Sequence, residues 1–396
     1  MTRGVRGGSS RPKVRLERAR SCEPPEIKQG VYVHIPFCIV RCSYCDFNAY
    51  ADAGHLKDVY VDALRKEISA RADGGKVATV FFGGGTPTEL GLSQLRELLT
   101  LVKDSFDLDA DAEITTEANP ESVDERAFEQ LLEAGFNRVS IGVQSTAPHV
   151  LKSLGRVHSA ERALAALRDA RSAGFASVNA DLIFGTPGET IQDWRHSLEA
   201  VISAGVDHVS AYALTIEQGT PLAAWIDRGE AEAPDEDDQA EKYEIARATL
   251  ASAGFERYEV SNWAKISRCR HNLTYWSGGE YFGFGAGAHS HFAGRRSWNV
   301  RSLQAYIARS PHAEDSFELL DYRTRTEEAA VLGLRLAEGL DRSEFEERWG
   351  IDPLQRWSPE FSAASDLLDI SDGRIRIRDD SFFLSGRVAA ALVSSS

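Results

Sequence analysis

The 396-residue sequence predicts an α/β protein built on a parallel sheet, because short apolar segments alternate with longer amphipathic ones along its first half. The predicted strands cover 31–35, 79–84, 112–118, 138–144, 177–185 and 208–214. Helical patterns lie between them, and several end in glycine, a common helix stop. Six strand–helix units are compatible with a partial (β/α) barrel or with an open doubly wound sheet.

Polar and glycine-rich segments follow the predicted strands at their carboxyl ends. Cysteines follow the first strand, and the later strands run into GGGTP, TEANPES, GVQS, ADLIFGTPGE and YALTIEQGTP. Taken singly, GGGTP and GTPGE are explained as turns, and Glu117 is explained as a helix cap. Their shared position at one end of successive strands favours a functional face, since both folds place ligands there.

The remainder of the chain predicts further units around this α/β region of 31–220. Residues 1–30 are predicted to form a disordered basic arm, with a transit peptide as the alternative. Residues 221–300 are predicted to form a connecting region, which contains an acidic stretch at 228–254. Residues 301–396 predict a mostly helical, winged-helix-like domain, with a helix over 324–339 and a hairpin and terminal helix over 372–393. This domain is expected to cover the mouth of the α/β region or to dock a partner protein.

The composition and net charge of the chain exclude several classes of function. The chain is 42% hydrophobic and 27% charged, its net charge is −15, and its pI is near 5.2. An acidic chain argues against nucleic acid as the main partner, because phosphate binding needs a basic surface. No apolar run reaches the length of a membrane span, and the N-terminus lacks the apolar core of a secretory signal. A cytoplasmic location is therefore expected.

Three of the five cysteines, Cys38, Cys42 and Cys45, lie within eight residues in the spacing C-x3-C-x2-C. A disulfide framework is not indicated, and such clusters are more often metal-binding. Structural zinc needs four ligands, for which His34 would be the nearest fourth, and three unrelated buried thiols are a further alternative. A four-iron cluster held by three thiolates leaves one iron open to a small molecule, and this interpretation explains the number three best.

The cysteine spacing and the segments YVHIPFC, FFGGGTPT, GVQS, LKSLGRVHS, DLIFGTPGET and FGAGAHS resemble the radical S-adenosylmethionine (SAM) superfamily. Within it, they resemble the oxygen-independent coproporphyrinogen III oxidase-like family. The resemblance implies a partial (β/α)6 barrel over 31–220, a [4Fe-4S] cluster on the three cysteines, and SAM bound at the open iron. It implies that the SAM pocket contains Tyr32, Tyr44, Gly84, Gly85, Thr86, Glu117, Gln144, Arg156, Asp181 and Ala213.

Two sequence features distinguish the coproporphyrinogen dehydrogenases from other members of that family. The coproporphyrinogen dehydrogenases carry a fourth cysteine where this chain has Phe47, and an additional N-terminal segment that is expected to be absent or too short here. The segment HNLTYW resembles a motif associated with heme binding, which implies His271, Tyr275 and Trp276 as heme-site residues. Cys269, His289 and His291 are further candidate ligands, and the absence of C-x-x-C-H argues against covalent heme attachment.

The resemblance therefore implies a heme chaperone that binds heme and delivers it to acceptor hemoproteins of the respiratory chain, some of them in membranes. No residue is predicted to be catalytic. A homodimer is compatible with the sequence. The alternatives are a coproporphyrinogen III dehydrogenase, another radical SAM enzyme acting on a tetrapyrrole, or a binding module that keeps the cluster as a scaffold.

Overall fold

The computed structural model describes residues 29–394. The arm predicted over 1–30 lies outside the described residues, except for Gln29 and Gly30, which belong to the first strand instead. In this part of the chain no helix is long and apolar enough to cross a membrane.

A large mixed sheet forms the body of the protein. Within residues 29–394 its twelve strands are β1 (Gln29–Ile35), β2 (Lys76–Gly84), β3 (Asp107–Ala118), β4 (Arg138–Gln144), β5 (Ser177–Phe184), β6 (His208–Ala213), β7 (Glu256–Arg257), β8 (Asn262–Ala264), β9 (Tyr281–Phe284), β10 (His289–Phe292), β11 (Arg295–Asn299) and β12 (Glu314–Leu319). Their order in the sheet is β12-β11-β10-β9-β1-β2-β3-β4-β5-β6-β8-β7.

Fifteen α-helices accompany the strands within the same residues. They are α1 (Lys57–Arg71), α2 (Leu92–Ser105), α3 (Glu125–Ala134), α4 (Pro148–Ser153), α5 (Ala160–Ala173), α6 (Ile191–Ser203), α7 (Pro221–Asp227), α8 (Glu236–Ser252), α9 (Arg270–Trp276), α10 (Leu303–Arg309), α11 (Tyr322–Leu334), α12 (Arg342–Trp349), α13 (Pro353–Arg356), α14 (Ser358–Ala363) and α15 (Ser385–Ser394). Short 3₁₀ turns follow the ends of β2 and β3, at Pro87–Leu90 and Pro120–Ser122.

Strands β1 to β6 pair in parallel in chain order, with helices in the connections. The strands are buried on both faces, which explains their near-continuous apolar sequences. The outer neighbour of β1 is β9 and that of β6 is β8, so these six strands do not close on each other. The predicted partial (β/α)6 barrel is confirmed.

On the outer side of β1 the sheet continues through β9, β10 and β11 into a region that the sequence predicts as helical. Residues 314–319 form β12, which pairs antiparallel with β11, so the prediction of helix beyond about Arg301 is wrong for this segment. All six residues of β12 are exposed, so the strand has no buried face, and the two apolar residues Phe317 and Leu319 are too few to mark it as a strand. Its three acidic residues suit an edge strand, because charge discourages pairing with another chain.

The C-terminal unit has its own small sheet. Strands β13 (Leu340–Asp341), β14 (Leu368–Ser371) and β15 (Arg374–Ile377) pair antiparallel in the order β13-β15-β14, with α11 to α15 around them. The order of helix, strand, helices and hairpin is winged-helix-like, and the predicted hairpin and terminal helix are confirmed. The guanidinium of Arg257 on β7 lies 3.4 Å over the ring of Phe382, which attaches this unit to the edge of the large sheet.

A buried glutamate joins the two halves of the large sheet. Glu67 on α1 is 0% exposed and accepts hydrogen bonds from the backbone N–H of Gly285 (2.9 Å), from Asn299 Nδ2 (2.7 Å) and from the hydroxyl of Tyr306 (2.6 Å). Arg71 supplies the charge partner. Glu67 therefore ties α1 to β9–β11 and α10, which lie more than 200 residues later in the chain.

Replacing Glu67 with alanine is expected to lower the free energy of unfolding by about 3–5 kcal/mol, since it removes the carboxylate partner of Arg71 and the acceptor that three buried donors share. Urea denaturation followed by circular dichroism measures the change. Glu97→Ala is the matched control, because Glu97 is half-exposed on α2 and its ion pair with Arg65 contributes at most about 1 kcal/mol. Equal losses for both variants would contradict this account of Glu67.

Candidate functional site

The three clustered thiols lie on the loop between β1 and α1. Hydrogen bonds fix this loop: Cys38 N–H donates to the carbonyl of Tyr50 (3.1 Å), and Ser43 N–H donates to that of Leu154 (3.1 Å). Cys38, Cys42 and Cys45 are half-buried and line one cavity of about 400 Å³, which we name the thiol cavity. Its remaining walls are the carboxyl ends of the parallel strands, as the fold class predicts.

The structure brings nine of the ten predicted SAM-pocket residues to the thiol cavity. They are Tyr44, Gly84, Gly85, Thr86, Glu117, Gln144, Arg156, Asp181 and Ala213. Tyr32 is the exception: it lies on β1, its hydroxyl hydrogen-bonds His34 Nδ1 (2.9 Å), and it lines neighbouring cavities instead. The thiol cavity is also lined by three residues that the sequence did not predict, Asn119, Ser140 and Tyr212.

The glycines at the end of β2 let that strand approach the cysteine loop. A Cβ at Gly84 would lie 2.4 Å from the ring of His34, and one at Gly85 would lie 2.7 Å from the carbonyl oxygen of Phe37 and 3.0 Å from Cys38 Sγ. Gly84 also has a φ of +117°, which side-chain-bearing residues rarely adopt. The glycines are thus required by the packing of the loop as well as by any ligand.

Arg156 is a half-buried cation beside the thiols. Its Nη2 donates to Asn119 Oδ1 (2.7 Å) and to the carbonyl of Gly142 (3.0 Å), and its Nη1 lies 3.4 Å from Cys42 Sγ. The Nε is buried without a protein partner among the described residues. A rigid guanidinium with an unused donor is suited to a carboxylate or to negatively charged sulfur.

Two half-buried carboxylates face the same cavity. Glu117 accepts from the backbone N–H of Gly84 (3.0 Å), and Asp181 accepts from Ser140 Oγ (2.7 Å) and Asn179 Nδ2 (2.8 Å). Burial and the nearby charge of Asp181 raise the pKa of Glu117 to about 8, and burial raises the pKa of Asp181 despite its hydrogen bonds. Neither forms a salt bridge within residues 29–394, so the pair is suited to a cationic ligand.

The raised pKa of Glu117 predicts a pH effect on stability. Between the ordinary carboxyl pKa of 4.5 and about 8, the folded protein holds a proton that the unfolded chain has lost, so stability falls as pH rises. Glu117→Gln removes this penalty and is expected to gain on the order of 4 kcal/mol relative to wild type between pH 4.5 and pH 8. Denaturant unfolding of the ligand-free protein at the two pH values measures it.

Glu133→Gln, on the exposed side of α3, is the control for the substitution itself. A difference between Glu117→Gln and wild type that stays constant from pH 4.5 to pH 8 would contradict the assigned pKa.

The helix that carries HNLTYW is α9, and it packs against β1 and β2. Glu113 caps it by accepting from the backbone N–H groups of Arg270 and His271, both at 2.9 Å. His271 is 2% exposed, and both ring nitrogens have partners: Nδ1 bonds Thr79 Oγ1 (2.8 Å) and Nε2 bonds the hydroxyl of Tyr275 (2.8 Å). Burial lowers the pKa of His271 to about 3, so the ring is neutral.

Two of the three residues predicted for heme lie together and the third does not. His271 and Tyr275 both line an inner cavity of the barrel, and Tyr275 also lines a second cavity beside β1. Trp276 lines neither, because its ring packs against the guanidinium of Arg335 on the C-terminal unit (5.1 Å). The other candidate thiol, Cys269, is buried and donates to Glu113 Oε1 (3.5 Å).

The second cavity, which we name the tyrosine cavity after Tyr32, Tyr275 and Tyr281, has a volume of about 570 Å³. Its other lining residues are His34, Asp46, Phe47, Asn48, Gly84, Glu117, Gly287, Ala288, His289 and Arg301. Asp46, Phe47, Gly84 and Glu117 line both cavities, so the two adjoin. Within residues 29–394, the helices and strands from α11 onward contribute no lining residue to either cavity. The expected roles of this unit, covering the mouth of the α/β region or docking a partner protein, stay predictions.

Comparison with known proteins identifies the class to which this fold and site belong. A family model described as "Radical SAM superfamily" matches residues 32–201, and one described as "HemN C-terminal domain" matches residues 320–384. The solved structure of coproporphyrinogen III oxidase (HemN) from Escherichia coli, described as a radical SAM enzyme, superposes with a TM-score of 0.82 at 25% identity. The match covers 95% of this chain and 92% of that one.

Curated relatives give a narrower assignment. The heme chaperone HemW of Mycobacterium tuberculosis is 45% identical over 368 residues, which cover 90% of this chain and 91% of that protein. The heme chaperone HemW of Bacillus subtilis is 38% identical over 335 residues, with coverages of 81% and 87%. The chain therefore belongs to the HemW family of the radical SAM superfamily.

Proposed function

We propose that this protein binds heme and transfers it to acceptor hemoproteins of the respiratory chain, while the thiol cavity carries a [4Fe-4S] cluster and SAM. The observation that supports this most strongly is the 45% identity, across nine-tenths of the chain, to a relative named as a heme chaperone. We further propose that delivery takes place in the cytoplasm and that membrane hemoproteins are among the acceptors.

The cofactor assignment is supported by the chemistry of the cavity. The radical SAM superfamily implies both groups, and Cys38, Cys42 and Cys45 would hold the cluster through three thiolates. When bound, the cluster supplies an electron and an open iron at which SAM binds. Arg156 would pair with the SAM carboxylate, and Glu117 and Asp181 would hold its cationic part and ribose. The orphaned Nε of Arg156 and the two unpaired carboxylates fit such a ligand.

Phe47 favours the chaperone over the dehydrogenase. It stands where the dehydrogenases carry a fourth cysteine, and its side chain is 65% exposed on the rim shared by the two cavities. An exposed phenylalanine offers a flat apolar surface to a porphyrin in place of a thiol.

A porphyrinogen enzyme is the second candidate, because the structural similarity to coproporphyrinogen III oxidase covers 95% of this chain. Anaerobic incubation of reduced protein with SAM and coproporphyrinogen III distinguishes the two. We expect no protoporphyrinogen IX. Its formation at a catalytic rate would overturn the assignment as a pure chaperone.

The direct test is anaerobic reconstitution with iron and sulfide, followed by heme titration watched by absorbance. We expect saturable binding of about one heme per chain, and transfer of that heme to an added apo-globin. Absence of saturable binding in protein with an intact cluster would overturn the proposal.

A further inference from the structure

An iron ligand needs a free lone pair, and few buried or pocket-lining histidines of this fold have one. In His34, His158, His208 and His271 both ring nitrogens are hydrogen-bonded within the protein. His291 uses Nδ1 on a backbone carbonyl and its Nε2 is buried. His289 alone among these six is exposed, and no described residue hydrogen-bonds either of its ring nitrogens.

The side chain of His289 is held by ring stacking and not by hydrogen bonds to its ring nitrogens. It begins β10 and lines the tyrosine cavity, and its ring stacks on that of Trp298, with 5.6 Å between centroids and 28° between planes. Partial burial and the charges of Arg296 and Arg301 lower its pKa, which favours the neutral form that binds metal. Neutral imidazole is the common axial ligand of heme iron.

Heme also carries two propionates, which need a cation as partner, and the same cavity contains one. Arg301 lines it, is exposed, and forms no salt bridge within the described chain. Its carbonyl accepts from Asn48 Nδ2 (2.9 Å) and from the hydroxyl of Tyr50 (3.1 Å), which fixes the backbone beside the cysteine loop. A guanidinium without an acidic partner of its own suits a carboxylate ligand.

The walls of the cavity suit a flat macrocycle. Tyr275 and Tyr281 meet edge to face with 4.7 Å between centroids, and the exposed ring of Phe47 forms part of the rim. The volume of about 570 Å³ lies within the range of about 300–1,000 Å³ found for cofactor sites.

We propose that heme occupies the tyrosine cavity, with His289 as a ligand of its iron and Arg301 as the partner of a propionate. This inference rests on the proposed function and deepens it by locating the heme. The HNLTYW segment then contributes Tyr275 as a wall, and His271 acts as a positioning residue, because its Nε2 holds the Tyr275 hydroxyl. Since the two cavities share Glu117 and Phe47, heme lies directly beside the SAM pocket.

Heme titration of reconstituted His289→Ala protein tests the iron ligand. We expect binding weakened at least about tenfold, an altered absorbance spectrum of the bound heme, and recovery of the wild-type spectrum on adding imidazole. His149→Ala is the matched control, because His149 is exposed on α4 and lines neither cavity, and this variant is expected to bind heme as wild type does. Wild-type affinity and spectrum in His289→Ala would overturn the proposal.

Binding of heme and of heme dimethyl ester tests whether Arg301 binds a propionate. Arg301→Ala is expected to weaken heme binding about tenfold and to leave binding of heme dimethyl ester unchanged, because the ester has no carboxylate for the guanidinium to bind. Equal effects on the two ligands, or none on either, would overturn the role of Arg301.

The outcomes separate this inference from the proposed function. Wild-type protein that binds no heme overturns the proposed function, and this inference with it. Wild-type protein that binds heme, with His289→Ala unaffected and His271→Ala impaired in both affinity and spectrum, overturns only the assignment of the ligand.

Discussion

Cys42→Ala protein is expected to lose the iron–sulfur cluster entirely on anaerobic reconstitution. Two thiolates cannot hold a cubane cluster that already lacks a fourth protein ligand, and Cys42 is also the thiol beside the Arg156 guanidinium. The measurement is iron and sulfide content together with the broad absorbance of the cluster. We expect about four irons per wild-type chain and almost none in the variant.

Cys269→Ala is the control, because Cys269 is a buried thiol that does not line the thiol cavity. It is expected to keep the cluster. Full cluster content in Cys42→Ala protein would contradict the assignment of the three thiols, and cluster loss in Cys269→Ala would show that the assay reports folding.

Arg156→Ala is expected to weaken SAM binding at least about a hundredfold, since removing one partner of a buried charge pair costs about 3–5 kcal/mol. Calorimetric titration of reconstituted protein with SAM measures it. The Lys variant keeps the charge and loses the fork that bonds Asn119 and Gly142, so we expect an intermediate affinity.

Cluster content must match wild type for this comparison, because Arg156 also contacts Cys42. Arg168→Ala, at an exposed position on α5, is the matched arginine control. Unchanged SAM affinity in Arg156→Ala protein with a full cluster would remove Arg156 from the SAM site.

The parallel half of the fold could be predicted because its signals are local. Strands β1, β2, β4, β5 and β6 are buried, so apolar runs mark them to within three residues. The prediction for β3 started five residues late, because residues 107–111 are largely exposed and polar. The strands β7 and β8 are two and three residues long, and β12 has no buried face, so none of them carries a periodic pattern.

The thiol cavity was also largely predictable, since parallel strands bring their carboxyl ends to one edge. The tyrosine cavity was not, because it depends on β9 pairing beside β1, a contact that no short-range pattern encodes. Helix geometry explains the separation of the predicted heme residues. His271 and Tyr275 are four residues apart and share a face, whereas Trp276 is rotated about 100° further round α9.

The pairing of β1 with β9 has a consequence for biosynthesis. Nearly 250 residues separate these neighbours, so at a synthesis rate of about 5–20 residues per second the outer edge of β1 stays unpaired on the ribosome for roughly 12–50 s. During that interval the nascent chain presents an apolar strand edge next to unmetallated thiols. Protection of this edge from aggregation therefore depends on a late event, the emergence of β9 from the ribosome.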